Sequence, residues 1–532
     1  MLYTESRQSG KKDSGALTFN ALLFFLLLLT GCQESSTYSK HELTIDAFSS
    51  LKVGDYVLDS HQIKKNLERL CSNNHEDSWA VRRTAAYYNT GGSLLWVGYN
   101  GVDERADTLV EYLRQNLPQI GFSQSTFHVD EIAADIERLR TLSFDDANPL
   151  NLVAARLDFN LTSAYLRYVV GQRFGFVNPH FVLNRLDARD RDTAGVVLTY
   201  RQLFDVAMQH PDDSYVQRAL RRITFDSLGI YLRQVEPVSP LYSKLKALLL
   251  QSAAGNRLRV LVNMERCRWR EHQNSEPGQK YVVVNVPAYH LWAVGPDSIV
   301  DMRVACGALK TKTPLLSSRI THMEVNPEWV IPMTIVRDEV SRHAGDSAYF
   351  ARHSYYIADR KTGNRLPVRR VSRAMLCSGN YRVAQQGGAG NALGRIIFRF
   401  PNNFSVFLHD TSSPGAFGRD NRGVSHGCVR VQRPFDLAVF LMDDSSDEWL
   451  LDRLRISMGM KPETDRGRDF LDDLDPAAPT PTLVHNIPVT SRVPIFITYY
   501  TIFLSPDGTL QYYPDVYGYD DTIGAVLNTY IQ

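Results

Sequence analysis

The chain has 532 residues, with 59 Lys and Arg against 58 Asp and Glu for a net charge of +1, and 44% of its residues are hydrophobic. This balance excludes the broad basic field expected of a nucleic-acid binder, and the apolar content excludes a chain too polar to fold. The length allows two or three domains, each with a sizeable core. Function must therefore be sought in local sites.

In chain order, Arg7, Lys11 and Lys12 precede an apolar run from Ala16 to Leu29, interrupted by Thr18 and Asn20 and followed by Thr30-Gly31-Cys32. A basic start, a short apolar stretch and small residues at its end predict a secretory signal over 1–32, too short for a transmembrane helix. The Leu29-Thr30-Gly31-Cys32 ending resembles a bacterial lipobox, which implies Cys32 as the lipidated first residue of an exported protein. The expected location is a bacterial membrane surface facing the periplasm, inner or outer, with lipid chains contributing about 0.8 kcal/mol per buried CH₂. An ordinary cleaved signal and an uncleaved anchor are the alternatives. Residues 33–60 read as a polar tether.

Residues 61–272 read as a helical scaffold domain with no chemistry of its own. Leu109, Tyr112 and Leu113 recur at helical spacing, as do Ile132, Ala133, Ile136 and Leu139 after the first-turn acids Asp130 and Glu131. Leu152–Val170 and Leu241–Leu250 add further helices.

After Trp269 the pattern changes. The β-branched run Lys280–Val286 stops at Pro287, and Tyr289–Val294 and Ser298–Val304 flank a Gly295-Pro296-Asp297 turn. With His322–Asn326, Arg395–Phe400 and Ser405–His409, these predict a sandwich or barrel-like β core within 273–532. The fold class is α+β: a helical N-terminal domain and a mostly β second domain. About 333–385 breaks the β pattern with a helix at Ile335–Arg342, a segment Tyr349–Tyr356 and a basic, apolar-poor stretch to Arg382. Gln385–Gly390 reads as a flexible hinge, so this insertion is expected to act as a lid. Pro434–Met442 reads as a helix, Asp443–Glu448 as an acidic turn, and Val493–Phe503 with Thr509–Tyr513 as a closing hairpin. Cys71, Cys267, Cys306 and Cys377 are expected mainly as buried thiols, although export permits disulfides among them.

The chemistry concentrates in Ser425-His426-Gly427-Cys428-Val429-Arg430, with His409 sixteen residues before Ser425. A cysteine paired with an imidazole is activated toward thiolate, its pKa falling from about 8.5 to roughly 3.5–7.5. Gly427 allows close backbone approach, and the Gly427 and Cys428 amides are candidate oxyanion donors. His426 has either a direct chemical role or a bracing one. A zinc site and a structural cysteine are the competing readings, but no CxxC, HExxH or second Cys/His cluster completes a ligand set. No cofactor or metal is expected.

His409, the sixteen-residue gap and Ser425-His426-Gly427-Cys428 resemble the signature of the L,D-transpeptidases, which cross-link peptidoglycan. Val286–Trp292, Thr313-Pro314, Asn326–Pro332, Asn391–Arg395 and Leu408–Thr411 resemble further blocks of the large, lid-bearing subgroup. The resemblance covers roughly 260 to 525 well and 50 to 250 weakly. It implies a Cys428 thioester with His409 as base, and transfer of a tetrapeptide stem to an acceptor amine with release of D-alanine to form 3-3 cross-links. Phe407, Ser425, Arg430, Asn391 and Arg395 are the candidate substrate-binding residues, the arginines for stem carboxylates. The resemblance also implies acylation by carbapenems, and cell-wall synthases are possible partners. Three departures stand out: Phe407 replaces a frequent tyrosine, 250–259 is too short for the subgroup's helical wall-binding module, and Arg430 replaces the Asn of smaller members. The same thiol with water as acceptor gives a carboxypeptidase or endopeptidase, and a protein amine gives wall anchoring. A non-catalytic wall-binding lipoprotein is the remaining reading.

Overall fold

The computed structural model describes residues 45, 49–73, 78–193, 195–224, 227–252, 254–270, 278–442, 447–475, 479–505 and 507–531. The signal 1–32 with Cys32, most of the tether, and Asp443–Ser446 of the expected acidic turn lie outside the described residues. The tether's last part is ordered: Ser50–Val53 and Tyr56–Asp59 pair antiparallel across Gly54-Asp55. No helix among the described residues is long and apolar enough to cross a membrane.

The chain divides into two compact units. The first comprises Met1–Glu111, Asp130–Tyr165 and Val216–Tyr231. It is helical, with helices such as Trp79–Asn89 and Val129–Thr141. Ser78 caps the former by accepting the Val81 amide, and Asp130 and Glu131 sit in the first turn of the latter as expected. The buried Asp158 organises this unit. Its carboxylate accepts the amides of Leu95, Trp96 and Val97 at 2.9, 2.8 and 3.1 Å and the Tyr88 hydroxyl. Trp96, fully buried, donates its indole N–H to Thr162 at 3.0 Å. A carboxylate in this setting fixes a non-repetitive segment that no helix period predicts.

The second unit comprises Tyr112–Val129, Leu166–Tyr215 and Leu232–Gln532. Helices Pro240–Gln251 and Ala254–Arg268 therefore fold with the β region, joined by the C-terminal helix Tyr519–Ile531, which the sequence reading missed. Buried Arg268 pairs with buried Glu265 at 3.2 Å.

Among the described residues the β core is one curled, mixed sheet of twelve strands. Its order runs Asn486–Pro488, His322–Val325, Ile396–Arg399, Leu408–His409, Val429–Val431, Ile299–Gly307, His290–Val294, Tyr281–Asn285, Pro494–Thr498, Leu315–Arg319, Phe204–Asp205, with Gly423–Ser425 pairing beside Ile299–Gly307. The expected hairpin at Gly295-Pro296-Asp297 forms, closed by the Gly295 amide on the Ser298 carbonyl. Val493–Phe503 is not one hairpin arm. Pro494–Thr498 runs parallel to Tyr281–Asn285 inside the sheet, and only Ile502–Leu504 pairs with Leu510–Tyr512. The reason is burial: every residue of Pro494–Thr498 is inside, which a two-stranded exposed hairpin cannot provide.

The insertion at 333–385 is a small folded body. Trp329–Val330, Tyr381–Gln385, Tyr355–Asp359 and Arg365–Leu366 form a four-stranded sheet in that order. Ile331, Ile335, Val336, Val340, Phe350, Ile357, Val371, Leu376 and Val383 make its core. In the stretch to Arg382, Val371 and Leu376 are buried in this core, and Leu366, Val368, Met375 and Tyr381 pack against it.

Replacing Asp158 by Ala leaves three buried amides and a phenol without their acceptor. Such a loss is expected to destabilise the protein by about 3–5 kcal/mol, read as a lowered urea midpoint of the transition that reports the first unit.

Candidate active site

Strand register assembles the site. Leu408–His409 runs parallel to Val429–Val431, with Leu408 opposite Val429 and His409 opposite Arg430. It runs antiparallel to Ile396–Arg399, with Ile397 opposite His409 and Phe398 opposite Leu408. Extending this register by one residue places Arg399, Phe407 and Cys428 in one row, beside the row Ile397, His409 and Arg430. Side chains of both rows project from the same face, while Phe398, Leu408 and Val429 fill the other and are fully buried. With strands about 4.8 Å apart and a rise of about 3.3 Å per residue, the Cα atoms of His409 and Cys428 stand about 8 Å apart on a diagonal, a gap that an imidazole and a thiol can bridge.

His409 is held rigidly. It is 4% exposed, and its Nδ1 donates to the Asp410 carbonyl, so Nε2 is the ring's basic nitrogen. The Leu393 carbonyl also lies against the ring. The Asp410 carboxylate is not the orienting group; it accepts the Arg395 amide at 2.8 Å. Ser405–His409 is not a full strand. Asn402 takes the Phe404 and Val406 amides with its Oδ1, and Ser405 has φ +54°, so the regular strand is only Leu408–His409.

The cysteine loop is braced from within and from below. The Ser425 hydroxyl donates to the Cys428 carbonyl at 2.5 Å and accepts the Gly427 amide at 3.1 Å. Thr311 donates to the Ser425 carbonyl and Thr313 to the Gly427 carbonyl, both at 2.8 Å. Thr313 is fixed in turn by the Gly307 amide and by the Tyr517 hydroxyl, which accepts the Thr313 amide at 3.1 Å. Gly427 has φ +119°, and a Cβ there would meet nothing closer than 3.6 Å, so the backbone conformation and not crowding demands glycine.

These contacts redistribute the expected roles. Ser425 is a loop brace, not a substrate contact, because both functions of its hydroxyl are used inside the loop. The Gly427 amide is already committed to it, whereas among the described residues the Cys428 amide meets no acceptor. His426, exposed, hydrogen-bonds through Nε2 to the Glu339 carboxylate of the insertion at 3.1 Å. Asn391 is 1% exposed; its Nδ2 donates to the Pro327 and Gln386 carbonyls at 3.2 and 2.8 Å, and its Oδ1 accepts the Leu393 amide. It ties the insertion's root instead of facing a ligand. The Gln385–Gly390 run is correspondingly no loose hinge: Gln385 bonds the His353 carbonyl and the Ala392 amide, and a Cβ at Gly387 would meet the Asn326 carbonyl at 2.2 Å. Arg395 donates to Asn326 at 3.2 Å.

The cations that act on the thiol are Arg399 and Arg430. Arg399, which the sequence reading passed over, lies over the Phe407 ring and pairs with Glu324 at 2.9 Å. No local pattern in the sequence marks it, because its place beside the thiol depends on the register of Ile396–Arg399 against Leu408–His409. Phe407 packs edge-on against Phe400. Arg430 has no carboxylate partner among the described residues, and its buried Nε has no acceptor.

Cys428 is a free, half-buried thiol whose Sγ lies 3.9 Å from the Ser405 carbonyl. Burial pushes it above the ordinary thiol range, only partly offset by the Phe407 backbone contact and the two arginines. Burial likewise pushes His409 down to about 4, with Arg430 adding to the effect and the Asp410 carbonyl opposing it. The sequence pointed to a thiol activated toward thiolate; in the free protein burial favours the neutral form of both groups. Cys71, Cys306 and Cys377 are also free, and burial raises the fully buried Cys306 to about 12. Among the described residues no cluster of three or more His, Cys, Asp or Glu is placed to hold a metal.

Two measurements follow from these directions. Alkylation of Cys428 by iodoacetamide is expected to accelerate steadily from pH 6 to pH 9, approaching about tenfold per unit, whereas a resting ion pair would give a rate nearly flat over that range. Because His409 is depressed, the unfolded chain binds more protons between pH 6.5 and about 4. Stability is therefore complete above pH 6.5 and is lost as pH falls toward 4, by up to about 3 kcal/mol. Thermal melts of His409→Gln should show a shallower acid loss than the parent protein.

Residues 279–446 match the L,D-transpeptidase catalytic domain, and residues 82–249 match a family described as a scaffold domain. A Haemophilus influenzae protein named "Putative L,D-transpeptidase" is 26% identical over 321 residues, an alignment that spans 59% of this chain and 60% of that protein. Over residues 279–446, which hold the strands that place His409 and Cys428, the chain is similar to the L,D-transpeptidase catalytic domain.

Proposed function

We propose that this protein is a cysteine acyltransferase that joins peptidoglycan stems by 3-3 cross-links. The observation that carries the reading is the register that sets Phe407, His409, Cys428 and Arg430 on one face of the sheet. Neutral Cys428 gives its proton to His409 Nε2 as sulfur attacks the carbonyl between the third residue of a tetrapeptide stem and its terminal D-alanine. The Cys428 amide is the free donor for the resulting oxyanion. Collapse expels the D-alanine amine, which takes the proton back from His409 and leaves a thioester. The side-chain amine of an acceptor stem then attacks the thioester and loses its proton to His409, and the thiol is restored as the new amide forms. Starting from neutral partners suits this cycle, because His409 is unprotonated and ready to accept at any pH well above 4.

Arg430 is the candidate for a stem carboxylate, being the guanidinium beside the thiol without an ion-pair partner among the described residues. Residues 333–385 act as the lid, linked to the thiol loop through Glu339 and His426. In this reading 61–272 is the scaffold and 273–532 the catalytic domain, the Cys32 lipid holds the protein at a bacterial membrane facing the periplasm, wall synthases are its partners, and carbapenems acylate Cys428.

The test is incubation of the purified protein with tetrapeptide muropeptides and chromatographic analysis of the products. Dimers accompanied by D-alanine are expected, with no activity in Cys428→Ala and a loss of about 10²–10⁴-fold in His409→Gln. D-alanine without dimers would replace transpeptidation by hydrolysis, and activity persisting in Cys428→Ala would refute the thioester.

A further inference from the structure

Away from the thiol, in the second unit, Arg173, Phe174, Ala207, Met208, Gln209, Trp269 and Arg270 enclose a cavity of about 190 Å³. Its polar wall is unusual in charge. Arg173 and Arg270 both line it, and among the described residues neither guanidinium has a carboxylate partner. Arg173 stacks against Phe174 and donates to the Gln209 side chain at 2.6 Å. Arg270 donates to the Val235 carbonyl at 2.8 Å, while its buried Nε has no acceptor.

The backbone fixes this arrangement. Arg270 follows the helix Ala254–Arg268 with φ +54°, a conformation that turns the chain sharply and that a β-carbon resists. Trp269, buried, packs edge-on against Phe204 and donates its indole N–H to Glu265. Phe204 belongs to the edge strand paired with Leu315–Arg319, so the cavity is anchored to the sheet edge remote in strand order from Leu408–His409. Two like charges held together at a half-buried wall repel each other, and burial with the neighbouring Arg173 pulls Arg270 down to about 10. An anion entering the cavity would relieve both the repulsion and the orphaned donor.

We infer that this cavity is an oxyanion-binding site, in which Arg173 and Arg270 take the phosphate or carboxylate group of a small ligand while Phe174 and Trp269 form its apolar walls. The volume falls below the roughly 300–1,000 Å³ of ordinary organic-ligand pockets, so it suits a charged group or a small molecule, not a whole sugar or nucleotide. Nothing in this inference depends on Cys428 or on the proposed transpeptidation.

The test is calorimetric titration of the full-length protein with sodium phosphate and with sodium acetate, at ionic strength held constant with chloride. Saturable binding of at least one of them is expected, weakened about ten- to a hundredfold in Arg173→Gln. Phosphate alone binding assigns a phosphate group, and acetate binding as well assigns a carboxylate. Arg270→Lys retains the charge but not the planar fork, and is expected to bind more weakly than the parent while melting at a similar temperature. No binding of either ion beyond the chloride control, or binding unchanged in both variants, overturns the inference.

Discussion

The parallel pairing of Leu408–His409 with Val429–Val431 is the constraint on which the site depends. Only two residues of the first strand are extended, yet they are enough, because Leu408 and Val429 are locked into the core on one face and leave His409 and Arg430 no choice of the other. A shift of one residue would bury the imidazole's partners and expose leucine and valine, a penalty that pins the register. The thiol inherits its position from this pairing, and the braces from Ser425, Thr311 and Thr313 determine how its loop leaves the strand.

The electrostatics follow from the same burial. A site this enclosed disfavours charge, so cysteine and histidine rest neutral and their proton moves only when a substrate carbonyl makes a developing negative charge worth stabilising. Arg399 and Arg430 favour that charge from the two sides of the Phe407 and His409 rows. Arg399 is balanced by Glu324, and Arg430 is left for the substrate. The insertion is folded around its own core, and its root is fixed by Asn391 and Gln385, so movement, where it occurs, is that of a body tied to the thiol loop by the exposed His426–Glu339 pair.

Much of this was legible in the sequence. Lys280–Val286 and the Gly295-Pro296-Asp297 turn announced their strands through β-branching and turn chemistry, and the Cys428 loop announced itself through residue types with few structural uses together. What stayed hidden depended on long-range partners. Asn391 and Ser425 are polar residues in a signature, and sequence alone does not distinguish a hydroxyl or amide spent on the backbone from one offered to a ligand. Arg399 and Thr313 acquire roles only through strand order. Pro494–Thr498 read as a hairpin arm because local pattern does not show that the chain crosses to lie parallel to Tyr281–Asn285.

The account stands or falls on whether one sulfur, served by one imidazole across a strand pair, carries the acyl group. The most direct measurement is rapid quenching in acid with a tetrapeptide donor and no acceptor, followed by mass spectrometry of the intact protein and its peptides. A tripeptide adduct on Cys428 is predicted, formed in step with D-alanine release and nearly absent when His409 is replaced by Gln. An adduct on another residue, or one that forms as fast without the imidazole, would contradict it.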